Sequence, residues 1–199
     1  MTLRERKKAQ TREALAEAAL KLFADKGFEH VTVDEIADTA QVSRRTYFRY
    51  FPTKEAVVFP DRERRLLQFQ QMLADRPVGE APLESVRRAL MALAADYEAN
   101  SARVLLQQRI VEGSATVLAY DAELDRQWEH SIAVALGDRG RARVGARRRA
   151  RLQAGALMGA IRAILNEWYA GAGRGDLKAL GREAFDLLVH GMMTTTDNR

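Results

Sequence analysis

All four prolines of this 199-residue chain, Pro52, Pro60, Pro77 and Pro82, fall within one stretch, so 1–51 and 83–199 lack the residue that most strongly breaks helices. The proline zone therefore joins two helical modules. No run of strand-length alternation and no repeat of fixed period interrupts them, and the fold class expected is all-α.

In the first module, Leu15, Ala18, Ala19, Leu22 and Phe23 follow the spacing of one helix face, and Gly27 stands just past its end, where a left-handed cap is wanted. A first helix over roughly 8–25 follows. Thr32-Val33-Asp34-Glu35 reads as a capping box that opens a short second helix, about 33–39, with Val33, Ile36, Ala37 and Ala40 on its inner side. Ser43 caps a third short helix that must stop at Phe51, because Pro52 disfavours helical geometry in the residue before it. Thr53 caps what comes next. Beyond Pro60 the pattern predicts long helices at about 61–75, 83–99, 102–113, 116–136, 144–171 and 176–193.

Two short helices joined by the Thr39–Val42 turn, with a third packed behind, form a helix-turn-helix, whose second short helix can enter a major groove. At 100° per residue, Tyr47, Phe48 and Phe51 fall within about 50° of one direction, the expected core face, while Arg45, Thr46, Arg49 and Tyr50 cover the other half. Arg44 lies at the edge of the core face. Residues 41–54 hold Arg44, Arg45, Arg49 and Lys54 and no acid, a local +4 in a chain of 32 Lys+Arg against 27 Asp+Glu, net +5. Such a concentration suits phosphate, whereas a nonspecific nucleic-acid binder would spread its charge along the chain.

The run VTVDEIADTAQVSRRTYFRYFPTKEAV (31–57), preceded by AALKLFADKGFEH (18–30), resembles the DNA-binding domain of the TetR family of bacterial transcriptional regulators. The resemblance covers about residues 8–60. It implies a DNA-binding domain over 1–54, a ligand-binding and dimerisation domain over 55–199, and a homodimer that binds an inverted-repeat operator on double-stranded DNA, usually as a repressor released by a small organic effector; a DNA-binding activator is the alternative. Carried over by position, Arg44, Arg45 and Thr46, after the Ser43 cap, occupy the turn that touches base edges, where an Arg can bind guanine bidentately. Arg49 and Tyr50 fall at phosphate- or base-contacting positions, and Thr32 and Lys54 begin helices at which phosphates are clamped.

Helix 144–171 carries two apolar stripes and is expected to be buried on both sides. Leu152, Gly155, Ala156, Gly159, Ala160 and Ala163 make a small-residue stripe; Leu157, Ile161, Ile164 and Trp168 make a bulky one. The last helix adds Leu177, Leu180, Ala184, Leu187 and Gly191. In the family two such helices meet their symmetry mates, which assigns the small stripe with Leu180, Ala184 and Leu187 to a dimer interface. Tyr97, Arg109, Trp128, Met158 and Arg162 are the effector-pocket candidates by their placement on central helices. The seven Arg of 139–151, with no acid among them, read most simply as a solvated helix start. DNA or a phosphorylated ligand is the other occupant, and by analogy with the family an acyl-CoA-type effector would fit.

Enzyme chemistry has little to draw on. The chain has no Cys, its His30, His130 and His190 are far apart, and no glycine pattern marks a nucleotide site. Asp121, Asp125, Glu129 and His130 share a helix face that reads as a solvated acidic surface rather than a metal site. No catalytic residue, metal or cofactor is expected. The absence of Cys, of a signal-like apolar segment and of any uncharged run of membrane length predicts a cytoplasmic protein with no membrane partner.

Overall fold

The computed structural model describes residues 2–77, 79–137 and 144–190, and every regular element among them is helical. The elements are α1 (Leu3–Lys26), α2 (Val33–Thr39), α3 (Arg44–Tyr50), α4 (Arg62–Ala74), α5 (Pro82–Ala99), α6 (Ser101–Glu112), α7 (Ala115–Leu136), α8 (Val144–Ala170) and α9 (Leu177–His190), with single 3-10 turns at Phe28–His30 and Glu55–Val58. No helix of the described residues is long and apolar enough to cross a membrane. The chain divides into two compact units: one comprises residues up to Arg64 with Arg103–Glu123, and the other Arg65–Ala102 with the residues from Leu124 onward.

In the first unit α1 begins five positions before the expected residue 8. A capping box missed at the start of the chain explains this: the Glu5 amide donates to Thr2 Oγ1 (3.2 Å) and the Thr2 amide to the Glu5 carboxylate (2.6 Å). Gly27 ends α1 at φ 83, ψ 147, an extended conformation of positive φ that essentially only glycine adopts, rather than the left-handed helical cap expected. Leu15, Ala19, Phe23, Phe28, Val31, Ile36, Tyr47, Phe51, Val57 and Val58 form one core, which Ile110 and Val111 of α6 and Val117 of α7 complete.

Polar ties hold 103–123 to this core. Gln107 donates to the Val58 carbonyl (2.7 Å), Arg62 pairs with Asp121 (2.8 Å), Arg103 pairs with Glu13 and Asp61, and Ser114 donates to Glu29 (2.6 Å). The compact unit thus runs past the boundary expected at 54. The reason is that Val57 and Val58 are fully buried in it.

In the second unit Phe69 of α4, Val86, Ala89 and Leu93 of α5, Ile132 of α7, Ala154, Leu157 and Met158 of α8, and Phe185 of α9 make the core. Pro82 occupies the first turn of α5, where its missing N–H costs nothing. The Leu177 amide at the start of α9 is capped by Glu98 (2.8 Å), and Trp168 Nε1 donates to the Gly175 carbonyl (3.0 Å), closing the turn between α8 and α9. The bulky stripe of α8 is inside as expected: Leu157 and Trp168 are buried and Ile161 packs on the core.

The small-residue stripe is not buried within the chain. Leu152 is 69% exposed, Ala156 and Ala163 are exposed, and Gly155, Gly159 and Ala160 are half-buried, so α8 is covered on one side only. On α9 Leu177 is buried, Leu180 and Ala184 are half-buried and Leu187 is 49% exposed; Gly191 lies outside the described residues.

The expected capping box of α2 is present. The Glu35 amide donates to Thr32 Oγ1 (3.2 Å), and the Glu35 carboxylate accepts from Lys26 Nζ (2.9 Å) and the Thr32 amide (2.8 Å). Those two donors, Lys26 first, hold the Glu35 carboxyl at about 2 instead of the ordinary 4.5. A depressed folded pKa contributes stability above the unfolded pKa that is lost as pH falls through the folded one. The stability gap between wild type and Glu35→Gln in urea unfolding is therefore expected to be constant above about pH 5 and to close as pH falls toward 2. A gap that stays constant down to pH 2 would contradict this role.

Candidate nucleic-acid interface

The inner side of α3 is locked. Tyr47 is fully buried and its hydroxyl donates to the Thr53 carbonyl (3.2 Å); burial first, and the charge of Glu55 second, push its phenol pKa up. Phe51 is buried beneath the Arg12 guanidinium, 4.4 Å from its ring centroid. The same guanidinium donates to the carbonyls of Tyr50 (2.8 Å) and Pro60 (2.9 Å), so α1 grips both the end of α3 and the segment beyond it. At the other end Ser43 Oγ accepts from the Thr46 amide (3.1 Å), as the sequence predicts. In the turn between α2 and α3, Gln41 takes φ 55 and the Val42 amide reaches the Ala37 carbonyl (2.9 Å), turning the chain without a glycine.

Arg45 and Arg49 project outward and are exposed. Arg49 lies over the Tyr50 ring (5.2 Å), and Arg45 makes no hydrogen bond or ion pair among the described residues. Thr46 is half-buried, with its hydroxyl 3.0 Å from Ser43 Oγ. Tyr50, expected on the outward half, is half-buried against the core.

Phe48 differs in the opposite direction: expected on the core face, it is 43% exposed. Tyr47 and Phe51 fill the space beneath α3, and Phe48 is left at the side, edge-on to Tyr47 (5.4 Å). Arg44 is exposed, pairs with Asp34 of α2 (2.7 Å) and lies over the Phe48 ring (5.4 Å). Thr32 is exposed at the start of α2 with its hydroxyl in the capping box.

Lys54 is half-buried, and its ammonium donates to the carbonyls of Phe28 (2.9 Å) and Val31 (3.1 Å) over the Phe28 ring (4.1 Å). It thus ties the turn before α2 to the segment after α3. The phosphate-clamp role expected for Lys54 has to share the ammonium with this structural one.

The effector candidates are divided between the two units. Trp128 lies against Phe69 (5.3 Å) beside buried Met158 in the second core, and the Tyr97 ring stacks with Arg65 (4.4 Å) in the same unit. Arg109 belongs to the other unit and is exposed, and Arg162 is exposed with Asp125 at 4.0 Å. Of the basic run, Arg139, Arg141 and Arg143 lie outside the described residues, while Arg147, Arg148, Arg149 and Arg151 are exposed on α8. Asp121 and Asp125 are engaged by Arg62 and Arg162, and no metal-binding group of three His, Cys, Asp or Glu occurs among the described residues.

Three residues with roles here carried no local signal in the sequence. Arg12 and Asp34 reach partners on other elements, and Arg65 is a buried cation whose Nε donates to Asp96 (2.6 Å) while its Nη2 has no hydrogen-bond partner among the described residues.

The family model described as bacterial regulatory proteins, tetR family, matches residues 15–59, and the MftR C-terminal domain matches 80–193. The HTH-type transcriptional regulator TcmR of Streptomyces glaucescens is 32% identical over 184 residues, covering 89% of this chain and 81% of that protein. The fold is shared with Thermus thermophilus FadR, a repressor solved with lauroyl-CoA (TM-score 0.57, 24% identity, 94% and 98% of the two chains covered). It is shared too with the SmeT–triclosan complex (TM-score 0.64, 18% identity, 91% and 90% covered), SmeT being the repressor of a Stenotrophomonas maltophilia efflux pump.

Replacing Arg12 with Ala strands two part-buried carbonyls and uncovers Phe51, and is expected to cost about 1–3 kcal/mol of stability in urea unfolding. Arg45→Ala, which breaks no internal contact, should stay within about 0.5 kcal/mol of wild type. Equal stability of the two variants would remove the clamp from the fold's supports.

Proposed function

This chain is a member of the TetR family of bacterial transcription regulators, and on that footing we propose that it is a cytoplasmic, homodimeric repressor that reads an inverted-repeat operator and is released by a small organic effector. It regulates transcription and is not an enzyme. One observation carries the DNA reading: a recognition helix whose inner face is locked by Tyr47, Phe51 and Arg12 while Arg49, over the Tyr50 ring, and Arg45, with no hydrogen bond or ion pair among the described residues, are exposed on the outside. A cation with no internal partner loses no interaction when it meets a base edge or a phosphate. DNA reading is assigned to residues 1–54 with the segments that support them, and dimerisation and effector binding to the remainder.

The dimer is assigned to the uncovered stripe of α8 with Leu180, Ala184 and Leu187 of α9. A stripe of small residues between exposed Leu152 and Leu187 allows helices of two copies to approach closely, and two heads at fixed separation supply the affinity that one seven-residue helix lacks. The effector is assigned to the second unit, among Tyr97, Trp128 and Met158. Lauroyl-CoA and triclosan in the two structural neighbours support an apolar body, and the unpartnered Arg65 Nη2 supports a hydrogen-bond acceptor or anionic group on it.

Selection of bound sequences from a random DNA pool by the full chain tests the reading: an inverted repeat is expected, and enrichment of no motif would overturn it. On the selected site Arg45→Ala should cost about 1–3 kcal/mol and relax preference at one base pair per half-site; equal losses on selected and random DNA would move Arg45 to the phosphate contacts.

Among the described residues, a Cβ at Gly159 would meet no atom within 4 Å beyond the adjoining backbone of its own helix, which leaves room for a larger residue there. Gly159→Leu is expected to leave helix content unchanged and to shift sedimentation from dimer to monomer. Dimers of unchanged mass and affinity would place the interface elsewhere.

A further inference from the structure

Asp34 places a carboxylate on the side of the helix-turn-helix that also displays Arg44, although a negative charge there repels phosphate. The position at the first turn of α2 favours an acid through the helix dipole, but that does not require a partner on α3. The partner is nonetheless defined: Asp34 Oδ2 accepts from Arg44 Nη1 at 2.7 Å, and the guanidinium is held on a second side by the Phe48 ring at 5.4 Å. Both side chains of the pair are 59% exposed, and exposed pairs of this kind contribute little to stability. What the arrangement does achieve is to restrict an otherwise flexible side chain at the first turn of the recognition helix.

We propose that Asp34 is a positioning residue for base recognition, holding the Arg44 guanidinium against Phe48 so that its remaining N–H groups meet O6 and N7 of one guanine in each half-site. Arg44 has five N–H donors in a planar fork and Asp34 engages one, so a bidentate edge remains. Orientation is the limiting need at this residue. Arg44 leaves α3 near the edge of its core-facing side, where an unrestrained stem would sample many directions, and Asp34 and Phe48 together select one. Arg45, by contrast, is exposed with no hydrogen bond, ion pair or ring contact among the described residues to direct it. A group fixed before binding loses less conformational freedom on binding and discriminates more sharply between bases.

The inference rests on the DNA-binding reading, and the test separates the two. Full-length wild type, Asp34→Ala and Asp34→Asn are compared in random-pool selection and in titrations of the selected site and of random DNA, with unfolding midpoints measured in parallel. Asp34→Ala should weaken the selected site roughly tenfold and flatten the preference at one G·C pair per half-site. It should bind random DNA as well as wild type or better, because a charge that repels phosphate has gone. Asp34→Asn, which keeps an acceptor, should recover part of the preference. Replacing that guanine with 7-deazaguanine should cost wild type roughly tenfold and Asp34→Ala little.

A loss of affinity through misfolding would lower the unfolding midpoint and weaken all DNA alike, which neither removal of a repulsive charge nor loss of positioning does; the Asn variant then decides. Retention of the full guanine preference by both variants, or equal tightening on selected and random DNA, overturns the proposal while leaving the DNA-binding reading intact. Selection of no motif by wild type overturns both.

Discussion

A helix of seven residues cannot hold itself together in water, because its few hydrogen bonds do not repay the cost of nucleating it. α3 exists because Tyr47 and Phe51 are buried in a core that α1, α2 and the 55–58 turn enclose. The rest of the candidate DNA surface depends on that burial. With one face fixed, the directions of Arg45 and Arg49 follow from helical geometry, and the Ser43 cap and the Arg12 clamp fix where α3 begins and ends. Removing the aromatic anchor would disperse the basic face even with every arginine still present.

Cations of the same head consequently act in different ways, and burial decides which. Arg12 and Lys54 are half-buried and donate to backbone carbonyls of separate segments, Tyr50 and Pro60 for Arg12, Phe28 and Val31 for Lys54, so they act on the fold. Arg45 and Arg49 are exposed and satisfy no internal acceptor, so they remain available to a partner. Arg44 stands between these classes, exposed but directed. Counting basic residues over 41–54 finds the patch without distinguishing these roles, because the count contains no information on the carbonyls of Phe28, Val31, Tyr50 or Pro60.

What was legible in the sequence was whatever depends on near neighbours. The Thr32–Glu35 capping box, the Ser43 cap, the stop before Pro52 and the i, i+3, i+4 stripes all act within one helical turn, and helices α2 to α8 fall within one residue of expectation, as does the start of α9. Errors arose where competition in space decided the outcome. Phe48 and Tyr50 exchange the roles that a helical wheel gives them, since a wheel ranks directions but does not know that Tyr47 and Phe51 already fill the space beneath. The small stripe of α8 was read as buried because its residues are apolar and small; among the described residues it is only partly covered, with Leu152, Ala156 and Ala163 exposed. Arg109 belongs to a different compact unit from Trp128 and Met158, and helix order alone does not say to which unit a segment belongs.

The core of the first unit is closed by Ile110, Val111 and Val117, and Gln107 supplies the donor for the Val58 carbonyl, so a chain cut at 54 would lose both the 57–58 pair and the segments beneath it. The head is thus a discontinuous structure that includes parts of α6 and α7. α7 itself continues from Glu123, assigned to the first unit, into Leu124, assigned to the second, where Trp128 and Ile132 join the other core. The proline-marked segment is therefore not the sole covalent path between the effector candidates and the support of α3. A perturbation at Trp128 has an uninterrupted helical backbone leading back to Val117, which is fully buried in the core that positions α3.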